Sequence, residues 1–163
     1  MYKVGIITAS DKGSQGKRED VSGQTIKEII EKYNYKVTQY IVVPDEKEEI
    51  KKAIIDMIDN KSVDLVLTTG GTGFSKRDVT PEATKEVIDK ETPGISEGIR
   101  NFSFLITPKA MLSRATSGIR KNSLIINMPG SPKAVRESLE YLLKALTHGM
   151  DILKGNDSEC AED

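Results

Sequence analysis

Apolar positions along the chain alternate between two spacings. "YKVGIIT" (residues 2–8) is short, β-branched and apolar, and reads as a buried strand. A polar Gly/Ser stretch, "ASDKGSQGKREDVSG", follows it. "QTIKEIIEKYN" then sets Ile26, Ile29 and Ile30 at helical spacing. "KVTQYIVV" (36–43) reads as a second strand. "DEKEEIKKAIIDMIDN" (45–60) places Ile50, Ile54, Met57 and Ile58 on one helical face, with Asp45 and Glu48 near its start. "VDLVLTT" (63–69) is a third strand, and its nearly continuous hydrophobic run suits a parallel strand covered on both faces.

The second half repeats the alternation with more punctuation. After the turn "GGTGFSKRDVT", Thr80-Pro81 has the form of an N-cap followed by proline at the first helical position, so "PEATKEVIDK" is a short helix. "TPGISEGIRNFSFLIT" opens on a turn signal and contains another helix. "AMLSRATSGIRKNSLIINM" reads as two extended pieces around a polar turn at Arg120 to Asn122. "PGSP" breaks the chain, and Ser131-Pro132 repeats the cap-plus-proline signature. A long final helix carries Val135, Leu139, Leu142, Leu143 and Leu146 on one face. Strands alternating with helices predict an α/β fold, with a parallel sheet and helices on both faces.

Composition narrows the function. A chain of 163 residues predicts one domain, over residues 1–155, followed by a polar tail at 156–163 that frays. A net charge of -1 gives no global reason to bind nucleic acid or an anionic membrane. Only 5% of residues are aromatic and none is Trp, which argues against base-stacking platforms. The single cysteine, Cys160, lies in the tail and cannot form an intrachain disulfide. His148 is the only histidine, which argues against a multi-histidine zinc site and a Ser-His-Asp triad. With no signal peptide and no long apolar stretch, a reducing cytoplasmic setting is expected.

Candidate chemistry collects where ligands bind in open α/β sheets, beyond the carboxyl ends of the strands. The first strand is followed by Ser10 and Asp11, the second by Asp45, and the third by Gly70, Gly71, Thr72, Gly73 and then Asp78. The strand "LIINM" ends beside Asn127 and runs into Pro129, Gly130, Ser131 and Lys133. The glycines permit positive φ and close approach of a ligand, and exposed N–H groups in such a turn make an anion-binding concavity. The same glycines also fit a plain tight turn, Asp45 also fits a helix N-cap, and Lys133 also fits a solvated surface lysine. Asp78 is less needed as a cap, because Thr80 can serve. Two carboxylates beside an anion site make sense if a divalent cation sits between them and phosphate. Ser113, Arg114 and Arg120 add hydroxyl and basic groups.

These residues resemble the MogA/MoaB family, the molybdopterin adenylyltransferases of molybdenum-cofactor biosynthesis. The resemblance is carried by "TASD" with "EDVSG", "VVPDE", "TTGGTGFSKRDVTPEAT", and "SRATSGIR" with "NMPGSPKAV". It spans about residues 2–155 and implies a three-layer αβα sandwich with a mostly parallel central sheet, commonly assembled as a trimer. It also implies transfer of AMP from Mg-ATP to the terminal phosphate of molybdopterin, with release of pyrophosphate. Asp45 and Asp78 match the family's two required aspartates and are the expected Mg2+ partners, directly or through water. The Gly70–Gly73 turn matches the substrate and nucleotide site. Ser113, Arg114, Ser131 and Lys133 match polar positions of the pterin-phosphate pocket. Met128 stands where the family often has Leu. The expected partners are molybdopterin, ATP, further copies of the chain and, transiently, other cofactor-biosynthesis proteins, with no nucleic acid and no membrane. The alternative within the family is a non-catalytic protein of the MoaB type that binds, stores or delivers the pterin cofactor.

Overall fold

The computed structural model describes residues 1–156, so all but the first residue of the expected tail, Cys160 included, lies outside the described residues. The chain runs β1 (Tyr2–Ala9), α1 (Asp11–Ser14), α2 (Val21–Ile30), β2 (Tyr35–Val43), α3 (Lys47–Ile55), β3 (Leu65–Thr69) and α4 (Thr80–Lys85). It continues through β4 (Lys90–Glu91), α5 (Pro93–Phe104), β5 (Ser117–Arg120), β6 (Ser123–Met128) and α6 (Pro132–Leu153). A π-helical turn, Asp56–Asn60, extends α3, and a 3-10 turn, Pro108–Leu112, follows α5.

Six strands form one sheet in the order β2-β1-β3-β6-β5-β4. β2, β1, β3 and β6 are parallel, while β5 and β4 run antiparallel at one edge. The expected mostly parallel αβα sandwich is therefore the observed architecture. Side chains alternate along each strand. Ile6, Leu67 and Ile126 face α2, α5 and α6, where Ile26, Ile99, Leu139 and Leu146 complete one core. Ile7, Val66 and Ile125 face α3 and α4, where Ile50, Ile54 and Ala83 complete the other. This double covering explains why "LVLTT" shows no alternation, since all five residues are buried. Truncating a fully buried side chain such as Leu139 to Ala is expected to cost about 2–5 kcal/mol.

Three expectations change in detail. The Gly/Ser stretch is not all loop: it holds α1 and the first turn of α2, which Asp20 caps by accepting from the Gly23 amide. The first extended piece of residues 110–128 shortens to β5, because Pro108 starts a 3-10 turn there. Thr80 does not cap α4. It is the first residue of that helix, and its hydroxyl donates to the Gly70 carbonyl instead.

Candidate active site

β2 lies on one side of β1 and β3 on the other, so the chain changes direction across the sheet between β1 and β3. Such a switch point opens a crevice at the carboxyl ends of the strands. The loops after β1, β2, β3 and β6 meet there. Gly70 and Gly71 have φ of +89° and +66°. A Cβ on Gly70 would lie 2.3 Å from the Ala9 carbonyl oxygen, and one on Gly71 would lie 2.4 Å from Thr80 Oγ1. No side chain fits at either position.

The carbonyls of this turn are drawn inward. Gly70 O accepts from the Thr80 hydroxyl, Gly71 O from the Thr80 amide, Thr72 O from the Arg114 amide and Gly73 O from Arg114 Nε. In a trans peptide the next N–H points opposite to the carbonyl. The amides of Gly71, Thr72 and Gly73 therefore face outward, and among the described residues none of them donates to a protein acceptor. Three adjacent outward amides make an anion-binding concavity.

Two carboxylates flank this concavity. Asp45 Oδ1 lies 3.4 Å, and Asp78 Oδ2 2.9 Å, from the positions that a Cβ would take on Gly71 and Gly73 respectively. Asp45 does not cap α3. Glu46 occupies the cap position, and the Asp45 carboxylate instead accepts from the Asp11 amide at 2.9 Å. Asp11 returns the contact, its carboxylate accepting from the Asp45 amide at 3.0 Å. Burial pushes the Asp45 carboxyl above its ordinary value; the Asp11 amide opposes this, and the charges of Asp11 and Asp78 reinforce it. Asp11 is held below its ordinary value by the Arg77 guanidinium and then by the Asp45 amide. Asp78 accepts from the Ser75 amide and has no ion pair among the described residues. Within those residues no cluster of three or more His, Cys, Asp or Glu could hold a metal by itself. Two carboxylates beside outward amides fit a hard divalent cation that takes its remaining oxygens from substrate phosphates and water.

Gly70 and Gly130 approach closely, with the Gly130 Cβ position 3.7 Å from Gly70 Cα, and two cavities of about 380 Å3 open on either side of them. The first lies between the loops after β1 and β3 and takes in Ser10, Gly13, Arg18, Asp20 and Ser22. The second is bounded by Thr72, Gly73, Pro129, Ser131, Ser113 and the 3-10 turn, with apolar walls from Ile99 and Leu112.

Of the residues expected from the sequence, Ser10, Gly70, Thr72, Gly73, Ser113, Pro129, Gly130 and Ser131 line these cavities, Gly71, Asp45 and Asp78 line neither, and four others have other work. Asn127 is fully buried beneath the site; its amide nitrogen donates to Thr68 and Thr84, and its oxygen accepts from the Thr116 amide. The Arg114 guanidinium is spent on the Gly73 and Asp78 carbonyls and on Glu82, so it shapes the glycine turn from below. Lys133 is 81% exposed, lies 3.9 Å from Glu137 on α6, and lines neither cavity. Arg120 sits at the opposite edge of the sheet, bound to Asp59 and the Val87 carbonyl. Ser10 and Ser131 both cap helices, accepting from Gly13 and Ala134.

Sequence reasoning did not assign Asp20, Arg77 or Arg100. Asp20 accepts from the Thr8 and Tyr40 hydroxyls at the rim of the first cavity, and its place three residues before Gly23 was a readable cap signal. Arg77 directly precedes Asp78, but its partners follow other strands. Arg100 borders the second cavity and donates to the Ala115 carbonyl.

Fold and geometry together define an α/β protein with a glycine turn of outward amides and two carboxylates at the carboxyl edge of its sheet, a setting suited to phosphate-bearing ligands. The family model described as "probable molybdopterin binding domain" matches residues 5–148, and the chain belongs to that family. A molybdopterin adenylyltransferase of Helicobacter pylori is 46% identical over 155 residues, which is 94% of this chain and 88% of the relative. The Escherichia coli molybdopterin adenylyltransferase is 39% identical over 156 residues, covering 91% of this chain and 79% of its own. The crystal structure of the molybdopterin biosynthesis enzyme MoaB from Thermus thermophilus superimposes with a TM-score of 0.90 at 46% identity, over 95% of this chain and 98% of that one. The MogA/MoaB resemblance read from the motifs is upheld.

Proposed function

We propose that this chain is a molybdopterin adenylyltransferase of molybdenum-cofactor biosynthesis, transferring AMP from ATP to the terminal phosphate of molybdopterin. The observation that carries the reading is the triplet of outward amides at Gly71–Gly73 between two carboxylates, in a chain whose curated relatives bear that activity as their name. Those names favour transfer over storage or delivery of the cofactor.

The chemistry needs little from side chains except position and charge. An oxygen of the molybdopterin phosphate attacks the α-phosphorus of ATP in line. The new P–O bond forms as the bond to the β-phosphate bridging oxygen breaks, and pyrophosphate leaves with that electron pair. No protein nucleophile takes part. Bringing two polyanions together costs strong repulsion, and the turn amides offset part of it by pointing their dipoles at the phosphates. Asp45 and Asp78 would hold Mg2+, directly or through water, and the ion when bound neutralises phosphate charge. The two cavities accommodate the two substrates, one on each side of Gly70 and Gly130, with Ser10 on the first and Ser113 and Ser131 on the second.

The assembly is a homotrimer in this reading. The three-fold state follows the family resemblance alone; the exposed apolar side chains after α5, where Leu105 is 87% and Met111 62% exposed, offer a surface that another copy would cover. No described helix is long and apolar enough to cross a membrane. A reaction that consumes ATP supports a cytoplasmic setting. A crystal soaked with Mg2+, ATP and molybdopterin is expected to show phosphate density against the Gly71–Gly73 amides. Density at any other edge of the sheet contradicts the site.

A further inference from the structure

Arg77 stands beside Asp78 yet spends its guanidinium elsewhere. Nε and Nη2 donate to the two oxygens of Asp11 at 3.0 and 2.8 Å, and Nη1 reaches Glu46 at 2.7 Å. Asp11 opens α1 just after β1, Glu46 holds the cap position of α3 after β2, and Arg77 lies in the loop after β3. One side chain therefore ties three strand-end segments together. The three side chains are 50%, 37% and 55% exposed for Arg77, Asp11 and Glu46. Ion pairs as wet as these add little to stability. What a two-pronged arginine–carboxylate contact does supply is geometry.

The geometry passes on to Asp45. Asp11 receives the Asp45 amide on its carboxylate and donates its own amide to Asp45 Oδ2. Arg77 fixes the plane of the Asp11 carboxylate, and Asp11 fixes the direction of Asp45. That leaves Asp45 Oδ1 facing Gly71 in the turn. The arrangement holds three carboxylates, Asp11, Asp45 and Asp78, around one turn, and mutual repulsion would otherwise drive them apart.

We propose that Arg77 and Asp11 are positioning residues, which act through each other to hold the Asp45 carboxylate aimed at the glycine turn. The kinetic consequence rests on the adenylyl-transfer reading, whereas the geometric consequence does not.

The test has two arms. In the ligand-free crystal structure of Arg77→Gln, the Asp45 carboxylate is expected to leave the Asp11 amide. In pyrophosphate-release assays with molybdopterin and ATP, Arg77→Gln and Asp11→Asn should each lower turnover roughly 10–100-fold, as misplacement of a site group does. Half-saturation by Mg2+ should shift upward while KM for molybdopterin holds. The double variant should be no slower than the worse single, because both residues act on one path. Arg77→Lys should recover part of the loss, since an ammonium can hold one Asp11 oxygen but not the fork; it and Asp11→Asn carry the test if Arg77→Gln does not fold. Asp45 unmoved in the crystal, an unchanged Mg2+ dependence, or additive losses would overturn the proposal. A loss confined to KM for ATP would also overturn it, placing Arg77 on the phosphates instead. A wild-type protein that transfers no AMP removes the functional reading alone, and the crystal arm still decides the positioning role.

Discussion

The two ends of the parallel strands treat charge in opposite ways. At the amino-terminal edge Asp59 and Asp64 are each paired with a cation. Asp59 is bound by Arg120 and Lys121, and Asp64 by Lys154 and the Lys3 amide, while Asp89 accepts from the Lys121 amide. Arg120 and then Lys121 hold Asp59 below its ordinary value. At the carboxyl edge the Arg77 guanidinium is given to Asp11 and Glu46 and that of Arg114 to carbonyls and Glu82, and Asp45 is pushed up by burial and by its like-charged neighbours. One edge is electrostatically closed and the other is left unbalanced. A fold tolerates such imbalance where a ligand completes it. The contrast locates the site better than cavity size does, because the two site cavities are no larger than grooves elsewhere on the surface.

Neutral substitutions at the two edges should have opposite consequences. The largest effect is on catalysis: Asp45→Asn or Asp78→Asn should lower adenylyl transfer at least about 100-fold, the scale of losing a preorganised charge-stabilising group. Asp59→Asn at the other edge should turn over at the wild-type rate. Steady-state pyrophosphate release compares the three variants directly. Next is Gly70→Ala, which strains a position at φ +89° and drives a Cβ into the Ala9 carbonyl. A loss of about 1–3 kcal/mol in urea denaturation is expected, together with lost turnover.

Stability should then move in opposite directions at the two edges. Asp59 has a lowered folded pKa, so the stability it contributes is present above its unfolded pKa and is lost as pH falls through the folded value. Asp59→Asn should therefore lower Tm at neutral pH. Asp45 has a raised folded pKa, so its contribution is lost as pH rises through that value. Asp45→Asn should accordingly raise Tm at neutral pH while lowering turnover. The same shift predicts that kcat/KM for Mg-ATP falls on acidification as Asp45 takes up its proton, sooner than for an ordinary aspartate, and that Asp59→Asn leaves this limb in place. The smallest effect belongs to neither edge: Lys47→Ala, which removes a half-exposed pair with Glu86, should change stability by less than about 1 kcal/mol.

Much of this was legible in the sequence where it was written as period or punctuation. Buried strands, amphipathic helices and the Ser131-Pro132 cap follow from local spacing, and the sheet rule then brings Asp45, Asp78 and the glycines to one edge. What stayed hidden depends on partners distant in sequence or on too few residues to show a period. α1 is one turn long and β4 two residues, so neither carries a pattern. Arg77 meets Asp11 across 66 positions, and nothing local announces the pair. Thr80 read as a cap because Thr-Pro usually is one; the Gly70 carbonyl, ten residues earlier, claims its hydroxyl. Asn127 sits at a strand end beside the site, yet it is fully buried, with its amide turned inward to Thr68 and Thr84.

The most direct test of the central claim is the stoichiometry of a single incubation with molybdopterin, Mg2+ and ATP labelled at the α-phosphate. One pyrophosphate released for each label carried onto molybdopterin, with no label left on the protein, is the predicted result. Tight pterin binding without pyrophosphate release would contradict it and return the chain to the class of binding proteins.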